Sequence, residues 1–351
     1  MKLLNGIQQV GFGCEKLYET WQWYIDNFGV NIRILEDDTV AERMLPYTGG
    51  VPQKRHACIA MNLQGGSGCE IWQYSDRKPV KCAFIPQPGD LGIFAAKFRS
   101  NNVEKFHAEL SAKYDKVSPM FKDPDGKPTF TVIDPWDNML QIVEDNYIFL
   151  NMGRNNGGVC GASIGVTDIE KSLKLYSDII GFDKVIYDRI GTFEDLSEGK
   201  ERFRRVLLTT SSRFRGPFSN LYGPGYIELV QSLDRVPRKI YEGRFWGDPG
   251  FIQICFDVKD MKELANYLAP EGYKFTVDSC PDGEIFDMGE ASGHFTYIED
   301  PDGTLIEFVQ THRVPLYKKI YLDLDKRSKD KPFPKVLFRI MALGKIDKLV
   351  K

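Results

Sequence analysis

The feature that most constrains the fold is a short predicted hairpin, GHFTYIEDPDGTLIEFVQ, from Gly293 to Gln310. Two apolar-rich runs flank Asp-Pro-Asp-Gly, in which proline presets one backbone dihedral and glycine accepts a positive φ. In the second strand Glu307 stands between Ile306 and Phe308, which point to the opposite face because side chains alternate along a strand. Burying a bare carboxylate is costly. Glu307 is therefore predicted to be exposed, hydrogen-bonded or bound to a cation.

The same hairpin occurs earlier in the chain, as FTVIDPWDNMLQIVE at 130–144. Aligning the Asp-Pro pairs places Asp134 on Asp300 and Gln141 on Glu307. Each hairpin follows a predicted strand and helix, at 92–98 and 103–114 in the first copy and at 251–258 and 261–268 in the second. An internal repeat of this kind indicates an architecture built from similar units.

Two further copies of the unit open the two halves of the chain. VGFGCEKLYETWQWYIDNFGV at 10–30 matches ASIGVTDIEKSLKLYSDIIGF at 162–182, and in each a predicted helix ends at a glycine. Both copies continue to a later strand, which places Glu70 against Glu228. The sequence thus predicts an α+β fold of four βαβββ units.

The four units divide into two predicted domains. We assign residues 1–150 and 159–312 to an N-terminal and a C-terminal domain of two units each, joined by a linker at 151–158. The linker is rich in glycine and asparagine, and sequence order favours pairing of units within each half. The remaining tail, 313–351, is expected to be solvated packing, with wrapping of the domain or a dimer contact as alternatives.

The composition excludes several classes of partner. The 351 residues include 46 basic and 49 acidic ones, a formal net charge of −3, which gives no indication of nucleic-acid binding. No apolar run has membrane-spanning length, and the N-terminus lacks the form of a signal peptide. Seven scattered cysteines without a Cys-x-x-Cys pair favour a reduced, cytoplasmic location.

Three predicted strands of the second half each carry one polar residue on an otherwise apolar face: Glu228, Gln253 and Glu307. Two carboxylates and an amide offer hard oxygen donors, which suit Mg, Mn, Ca, Zn or Ni ions. The alternative is a set of buried carboxylates satisfied by arginine, lysine, tyrosine or water. Both interpretations stay open at the level of these residues.

The EDPDGTLIEFVQ hairpin, the IGVTDIEKSLKLY segment and the fourfold repeat together resemble the vicinal oxygen chelate superfamily, which includes glyoxalase I, extradiol dioxygenases and bleomycin-resistance proteins. The resemblance covers about residues 1–312. It implies that units pair into two glyoxalase-like open cups of mixed and antiparallel sheet, each able to hold a metal or a ligand.

The resemblance also implies where metal ligands would lie, on the first and last strands of two paired units. In the C-terminal cup these positions hold Glu228, Gln253 and Glu307, with Gly161 at the fourth. In a secondary N-terminal cup they hold Gln9, Glu70 and Gln141, with Ala95 at the fourth. Each predicted cup thus lacks one ligand.

The predicted function is that of a glyoxalase-like, metal-dependent lyase or isomerase. It would act on a small oxygen-chelating substrate through enolate chemistry in the C-terminal cup, with Mn, Ni, Zn, Mg or Fe as cofactor. Glu307, Glu228 and His294 are the candidate catalytic residues, since a carboxylate or an imidazole can carry the proton. A satisfied strand histidine is the alternative for His294.

Substrate contacts are predicted for the aromatic residues Tyr226 and Phe251 and for Arg205, which belongs to a basic stretch suited to an anionic group. A solvated strand face is the alternative interpretation of that stretch. A metal-free binding protein of the bleomycin-resistance type is the alternative function, and a homodimer is a further possibility. A ring-cleaving dioxygenase is disfavoured, because two expected histidine positions hold Gly161 and Gln253.

Overall fold

The structure is a computed structural model and describes residues 3–349. The strands are Leu4–Cys14 (β1), Ile32–Ala41 (β2), Gln53–Met61 (β3), Gly68–Tyr74 (β4), Gly92–Ser100 (β5), Phe121–Lys122 (β6), Pro128–Ile133 (β7), Met139–Glu144 (β8), Asn156–Gly165 (β9), Lys184–Gly191 (β10), Phe203–Thr209 (β11), Tyr226–Ser232 (β12), Gly250–Val258 (β13), Val277–Asp278 (β14), Phe286–Asp287 (β15), Ser292–Glu299 (β16), Leu305–Tyr317 (β17) and Ile320–Asp323 (β18). The α-helices are Leu17–Phe28 (α1), Val103–Ser111 (α2), Ile169–Leu173 (α3), Ser219–Tyr222 (α4), Met261–Leu268 (α5) and Lys335–Met341 (α6). A π-helix, Lys174–Ile179, continues α3, and short 3₁₀ helices lie at Leu45–Tyr47, Ala269–Glu271 and Ala342–Gly344.

The α+β fold and the four βαβββ units are confirmed. Unit 1 runs from β1 to β4, unit 2 from β5 to β8, unit 3 from β9 to β12 and unit 4 from β13 to β17. Within each unit the first strand pairs in parallel with the last. Helix α1 ends where Gly29 adopts a left-handed conformation at φ 61°, which glycine adopts without a steric penalty.

The units pair across the two halves, not within them. One sheet has the order β14-β16-β17-β13-β1-β4-β3-β2 and so joins unit 4 to unit 1 through the antiparallel pair β1–β13. The other has the order β10-β11-β12-β9-β5-β8-β7-β6 and joins unit 3 to unit 2 through β5–β9. We call these sheets the first cup and the second cup. The predicted pairing within each half, and the cup boundaries built on it, are thereby corrected.

The physical reason is that either pairing buries the same apolar faces, so side-chain alternation does not choose between them. Contacts within each half are made instead by helices. The hydroxyl of Tyr24 on α1 donates to Asp134 in the turn of unit 2 at 2.8 Å, and Tyr176 donates to Asp300 in unit 4 at 3.1 Å. One large apolar cluster contains side chains from both sheets and from α1, α2 and α5. The two cups therefore share a common core behind their sheets.

Two segments between and after the units are more ordered than the sequence indicated. Strand β9 begins at Asn156, within the segment predicted as a linker. The Gln64 side-chain oxygen accepts hydrogen bonds from the backbone N–H groups of Met152 and Arg154. The tail is not merely solvated packing, because Phe338 of α6 is buried in a cluster with residues from units 1 and 3. It wraps the domain along the first cup, which was one of the alternatives for the tail.

Candidate active site in the first cup

The first cup brings four polar residues together, one from each central strand. Gln9 lies on β1, Glu70 on β4, Gln253 on β13 and Glu307 on β17. The amide nitrogen Nε2 of Gln253 donates to Glu70 Oε2 at 2.7 Å and lies 3.5 Å from Glu307 Oε2. Gln9 Nε2 donates to the same Glu70 oxygen at 3.2 Å. The first cup thus combines two of the four positions that the resemblance assigned to each predicted cup, and all four carry a polar side chain.

Strand register creates room for this cluster. Gly11 of β1 lies beside Glu70 on one neighbouring strand and beside Gln253 on the other. A Cβ at Gly11 would lie 2.5 Å from the Gln253 amide nitrogen, so any side chain there would displace the Gln253 amide. Glycine at this point of β1 therefore allows the Gln253 side chain to cross the strand and reach Glu70.

The two carboxyl groups have perturbed acidities. Burial, reinforced by the charge of Glu70, raises the pKa of Glu307 from 4.5 to about 8. Burial also raises the pKa of Glu70 to about 6, and the nearby Arg55 guanidinium limits that rise. Two carboxyl groups that share a buried site titrate as a pair, and repulsion holds one proton on the pair near neutral pH.

The donor set fits a divalent cation. Within residues 3–349 the side-chain oxygen Oε1 of Gln9 is buried without a hydrogen-bond partner, and a buried polar atom in that state normally indicates a missing partner. Beside it lie two carboxylates that a cation would neutralise. Gln253 fits less directly, because its oxygen accepts the Trp246 indole N–H at 3.1 Å. Gln9, Glu70 and Glu307 are thus the direct oxygen donors.

The candidate centre does not depend on histidine or cysteine. Among the described residues no group of three or more His, Cys, Asp or Glu side chains is arranged to hold a metal. The donors in the first cup are two carboxylates supplemented by amides, and amide and carboxylate oxygens suit hard cations.

A cavity of about 170 Å³ is lined by three of the four polar residues, Gln9, Glu70 and Glu307. At the polar end Trp72, Trp246 and Tyr297 belong to one apolar cluster, and the Trp72 and Trp246 rings lie 4.0 Å apart. Tyr297 and Cys255 lie opposite Glu307 on the two neighbouring strands, and the Cys255 thiol donates to Gln8 Oε1 at 3.6 Å. Aromatic walls around a few convergent polar groups are typical of a small-molecule site.

The sequence analysis did not single out Asp257, a buried carboxyl group on β13. Its side chain accepts from Gln8 Nε2 at 3.2 Å and from the Thr311 hydroxyl at 3.1 Å, and Asn5 also donates to it. Burial raises its pKa to about 7. The signal was available, because strand alternation places Asp257 on the same face as Gln253 and Cys255.

The second cup has no comparable open site. Its four corresponding positions hold Ala95, Gln141, Gly161 and Glu228, of which the alanine and the glycine offer no side-chain donor. The ammonium group of Lys97 lies 2.7 Å from Glu228 Oε2 and 2.8 Å from Gln141 Oε1. A built-in cation therefore bridges the two polar side chains.

Glu228 is also held by other partners. The Arg205 guanidinium lies 2.8 Å from Glu228, and the hydroxyls of Tyr187 and Ser163 donate to it at 2.6 and 2.7 Å. The positive charges of Arg205 and Lys97 hold the pKa of Glu228 well below its usual range. Glu228 is thus a structural carboxylate, and the structure does not bring it together with Gln253 and Glu307.

Arg205 and Tyr226 belong to this second cup as well. Arg205 is buried and bonds Asp195 at 2.7 Å on its other side. Tyr226 lines only a small cavity of about 30 Å³. Neither side chain can contact a molecule bound in the first cup, so the structure separates two of the three predicted substrate contacts from Glu307.

Phe251 lies on the other face of its strand from the one predicted. Residue Ile252 is an extra residue in the pairing of β13 with β1, since Gly11 pairs with Gln253 and Phe12 with Phe251. This β-bulge interrupts the alternation. Phe251 consequently packs against Phe12, with ring centroids 6.2 Å apart, in the shared core.

His294 does line the first cavity, but it is already partnered. Its Nε2 atom lies 2.6 Å from the Asp278 carboxylate. The predicted position beside the Glu307 strand is confirmed by the pairing of β16 with β17. Its catalytic role stays a prediction.

Comparisons with known proteins agree with this fold. Residues 160–308 match the model of the Glyoxalase/Bleomycin resistance protein/Dioxygenase superfamily. Together with the four βαβββ units and two cups, this match supports the resemblance to the vicinal oxygen chelate superfamily. No curated protein matches the sequence significantly.

Two solved structures illustrate the likeness. A protein assigned as a dioxygenase from Bacillus subtilis aligns with a TM-score of 0.54 and 16% identity, covering 88% of this chain and 86% of its own. Glyoxalase I from Zea mays aligns with a TM-score of 0.52 and 13% identity, covering 87% and 92%. At these identities the likeness shows the fold alone. No helix between residues 3 and 349 is long and apolar enough to span a membrane.

Proposed function

We propose that the protein is a metal-dependent lyase or isomerase that acts on a small oxygen-chelating substrate in the first cup. The observation that carries the proposal is the pairing of Glu70 with Glu307 around the unpartnered oxygen of Gln9, at the wall of a cavity. Two like charges at that point are stabilised by a divalent cation and are unfavourable without one.

Gln9, Glu70 and Glu307 would hold the ion, and Gln253 would orient both carboxylates through its amide N–H groups. A divalent cation bound there supplies Lewis-acid stabilisation of negative charge on neighbouring substrate oxygens. Mn, Ni, Zn, Mg and Fe are the candidates.

The chain itself supplies the proton acceptor. Glu307 faces the cavity, and Gln253 Nε2 lies 3.5 Å from its carboxylate. Once released from the ion, this carboxylate would be placed to remove a proton from the substrate carbon next to a carbonyl and to return it to a neighbouring atom. The walls formed by Trp72 and Trp246 exclude water from this step.

The test is elemental mass spectrometry of the purified protein after incubation with each candidate metal, beside Glu70→Gln and Glu307→Gln. Glu299→Gln is the matched control, since Glu299 lies in the same hairpin but is exposed and does not line this cavity. We expect near-stoichiometric metal in the wild type and the control and its loss in the two cavity variants. Absence of metal from the wild type under all conditions would refute the proposal.

A metal-free binding protein is the second candidate. The observation that favours it is that Gln253 already links both carboxylates by its own amide, so that most of the polar cluster is satisfied without an ion. Under this alternative Glu307→Gln leaves ligand affinity nearly unchanged, whereas metal-dependent turnover would be abolished.

A ring-cleaving dioxygenase fits less well. Such iron sites use two histidines and one carboxylate, while the first cup presents two glutamines and two glutamates.

A further inference from the structure

The cavity of the first cup joins two different apolar clusters. Its polar end is lined by Met44, Trp72, Trp246 and Tyr297, which belong to one cluster. Its other end is lined by residues of a separate cluster: Ile34, Met61, Phe218, Leu221, Val314, Phe338 and Met341. The cavity is therefore elongated, with carboxylates near one end and hydrocarbon side chains at the other.

Its length follows from β17, which lines it from Glu307 through Val309 and Thr311 to Val314. At about 3.3 Å per residue, the seven steps from Glu307 to Val314 span up to about 23 Å. A compact head group at Glu70 and Glu307 would leave most of this length empty. An empty apolar channel lined by well-packed side chains is unfavourable unless a ligand fills it.

Two additions to the βαβββ pattern help to line the apolar end: α4, which is inserted within unit 3, and α6 of the tail. Helix α4 contributes Leu221, and α6 contributes Phe338 and Met341. The tail is fixed in place, since Lys335 Nζ donates to the Phe149 carbonyl at 2.7 Å and the Ile346 N–H donates to Asn31 at 2.8 Å. These segments close the cup at the end away from Glu307.

We propose that the substrate is an elongated amphiphile whose oxygen-bearing head lies at Glu70 and Glu307 and whose unbranched alkyl or acyl chain lies between α4 and α6. The head-group half of this inference rests on the proposed metal-dependent function. The chain-binding half rests on the cavity alone. Phe338 and Met341 are thereby assigned as specificity-determining residues.

The experiment compares two chelating probes, acetohydroxamate and octanohydroxamate, on the metal-loaded full-length protein by calorimetry. Each buried methylene favours binding by about 0.8 kcal/mol, or roughly fourfold, so octanohydroxamate should bind at least 100-fold more tightly. Phe338→Ala and Met341→Gln should reduce that ratio about tenfold or more while leaving acetohydroxamate affinity within twofold. Val336→Ala is the control on the same helix, because Val336 is 57% exposed, and should leave the ratio unchanged.

Equal affinity for both probes in the wild type, or a ratio that neither α6 variant changes, would overturn the inference. Acetohydroxamate affinity and the thermal midpoint show whether each variant is folded. A parallel titration of metal-free protein with 1-octanol separates this inference from the proposed function. Octanol binding that Met341→Gln weakens would support the chain site even if no metal binds, and failure of octanol to bind would count against it.

Discussion

Replacing Glu307 by glutamine should stabilise the metal-free protein at alkaline pH. The buried Glu307 carboxyl has its pKa raised from 4.5 to about 8, so the folded state holds its proton more tightly than the unfolded state does. The stability that the Glu307 carboxyl group contributes is fully present below about pH 4.5 and is lost as the pH rises through about 8. Glutamine has a similar shape and cannot ionise, so it avoids this loss.

The magnitude follows from the difference between the two pKa values. One pKa unit corresponds to about 1.4 kcal/mol, so complete ionisation of Glu307 costs up to about 5 kcal/mol. In thermal unfolding this corresponds to a difference on the order of 10 °C. Thermal unfolding followed by tryptophan fluorescence in EDTA at pH 5.5, 7 and 9 measures the midpoint of each protein. The midpoint of the wild type is subtracted from that of the variant at each pH.

Glu228→Gln provides the comparison, because Glu228 occupies in the second cup the position that Glu70 occupies in the first. The pKa of Glu228 is held low by Arg205 and Lys97, so it stays ionised at all three pH values. Its removal leaves the buried Lys97 without a counter-charge and Arg205 with Asp195 alone, and breaking a buried ion pair in this way typically costs about 3–5 kcal/mol. We expect destabilisation that does not change between pH 5.5 and 9. If Glu307→Gln were destabilising by a constant amount at all three pH values as well, the electrostatic difference between the cups would be refuted.

The remaining predictions concern proton release and two other aspartates. The Glu70–Glu307 pair, with pKa values of about 6 and about 8, holds about one proton at pH 7. Metal binding should therefore release about one proton at pH 7 and almost none above pH 9. Calorimetry in buffers of different ionisation enthalpy measures the number of protons released. Asp257→Asn should raise the thermal midpoint at pH 9 more than at pH 5.5, since burial raises the pKa of Asp257 to about 7. Asp137 adopts φ 68° at the turn position that Gly303 holds in unit 4, so Asp137→Gly should stabilise the protein by about 0.5–1 kcal/mol. Urea titration measures the free energy of unfolding, and a value equal to that of the wild type within error would contradict this prediction.

Local features of the fold were predictable because local chemistry determines them. The Asp-Pro turns, the helix end at Gly29 and the inward direction of Glu307 all follow from short-range rules. The pairing of units was not predictable in this way, because β1 could add to either neighbouring unit without exposing an apolar face. The bulge at Ile252 was equally hidden, since a single extra residue leaves no mark in the alternation and yet moves Phe251 to the other face.

The correct pairing changes the interpretation of the site more than any single residue does. Pairing within halves left each cup one ligand short, with Gly161 or Ala95 at the missing position. Pairing across halves places both positions without donor side chains in the second cup and gives the first cup a polar side chain at all four positions. The second cup then stabilises its carboxylate with Lys97, a cation supplied by its own chain. The first cup lacks such a lysine, and its two glutamates keep raised pKa values beside an open cavity. The same fold thus provides a cup whose carboxylate is neutralised by two cations of its own chain and a cup in which Arg55 only partly offsets two buried carboxyl groups.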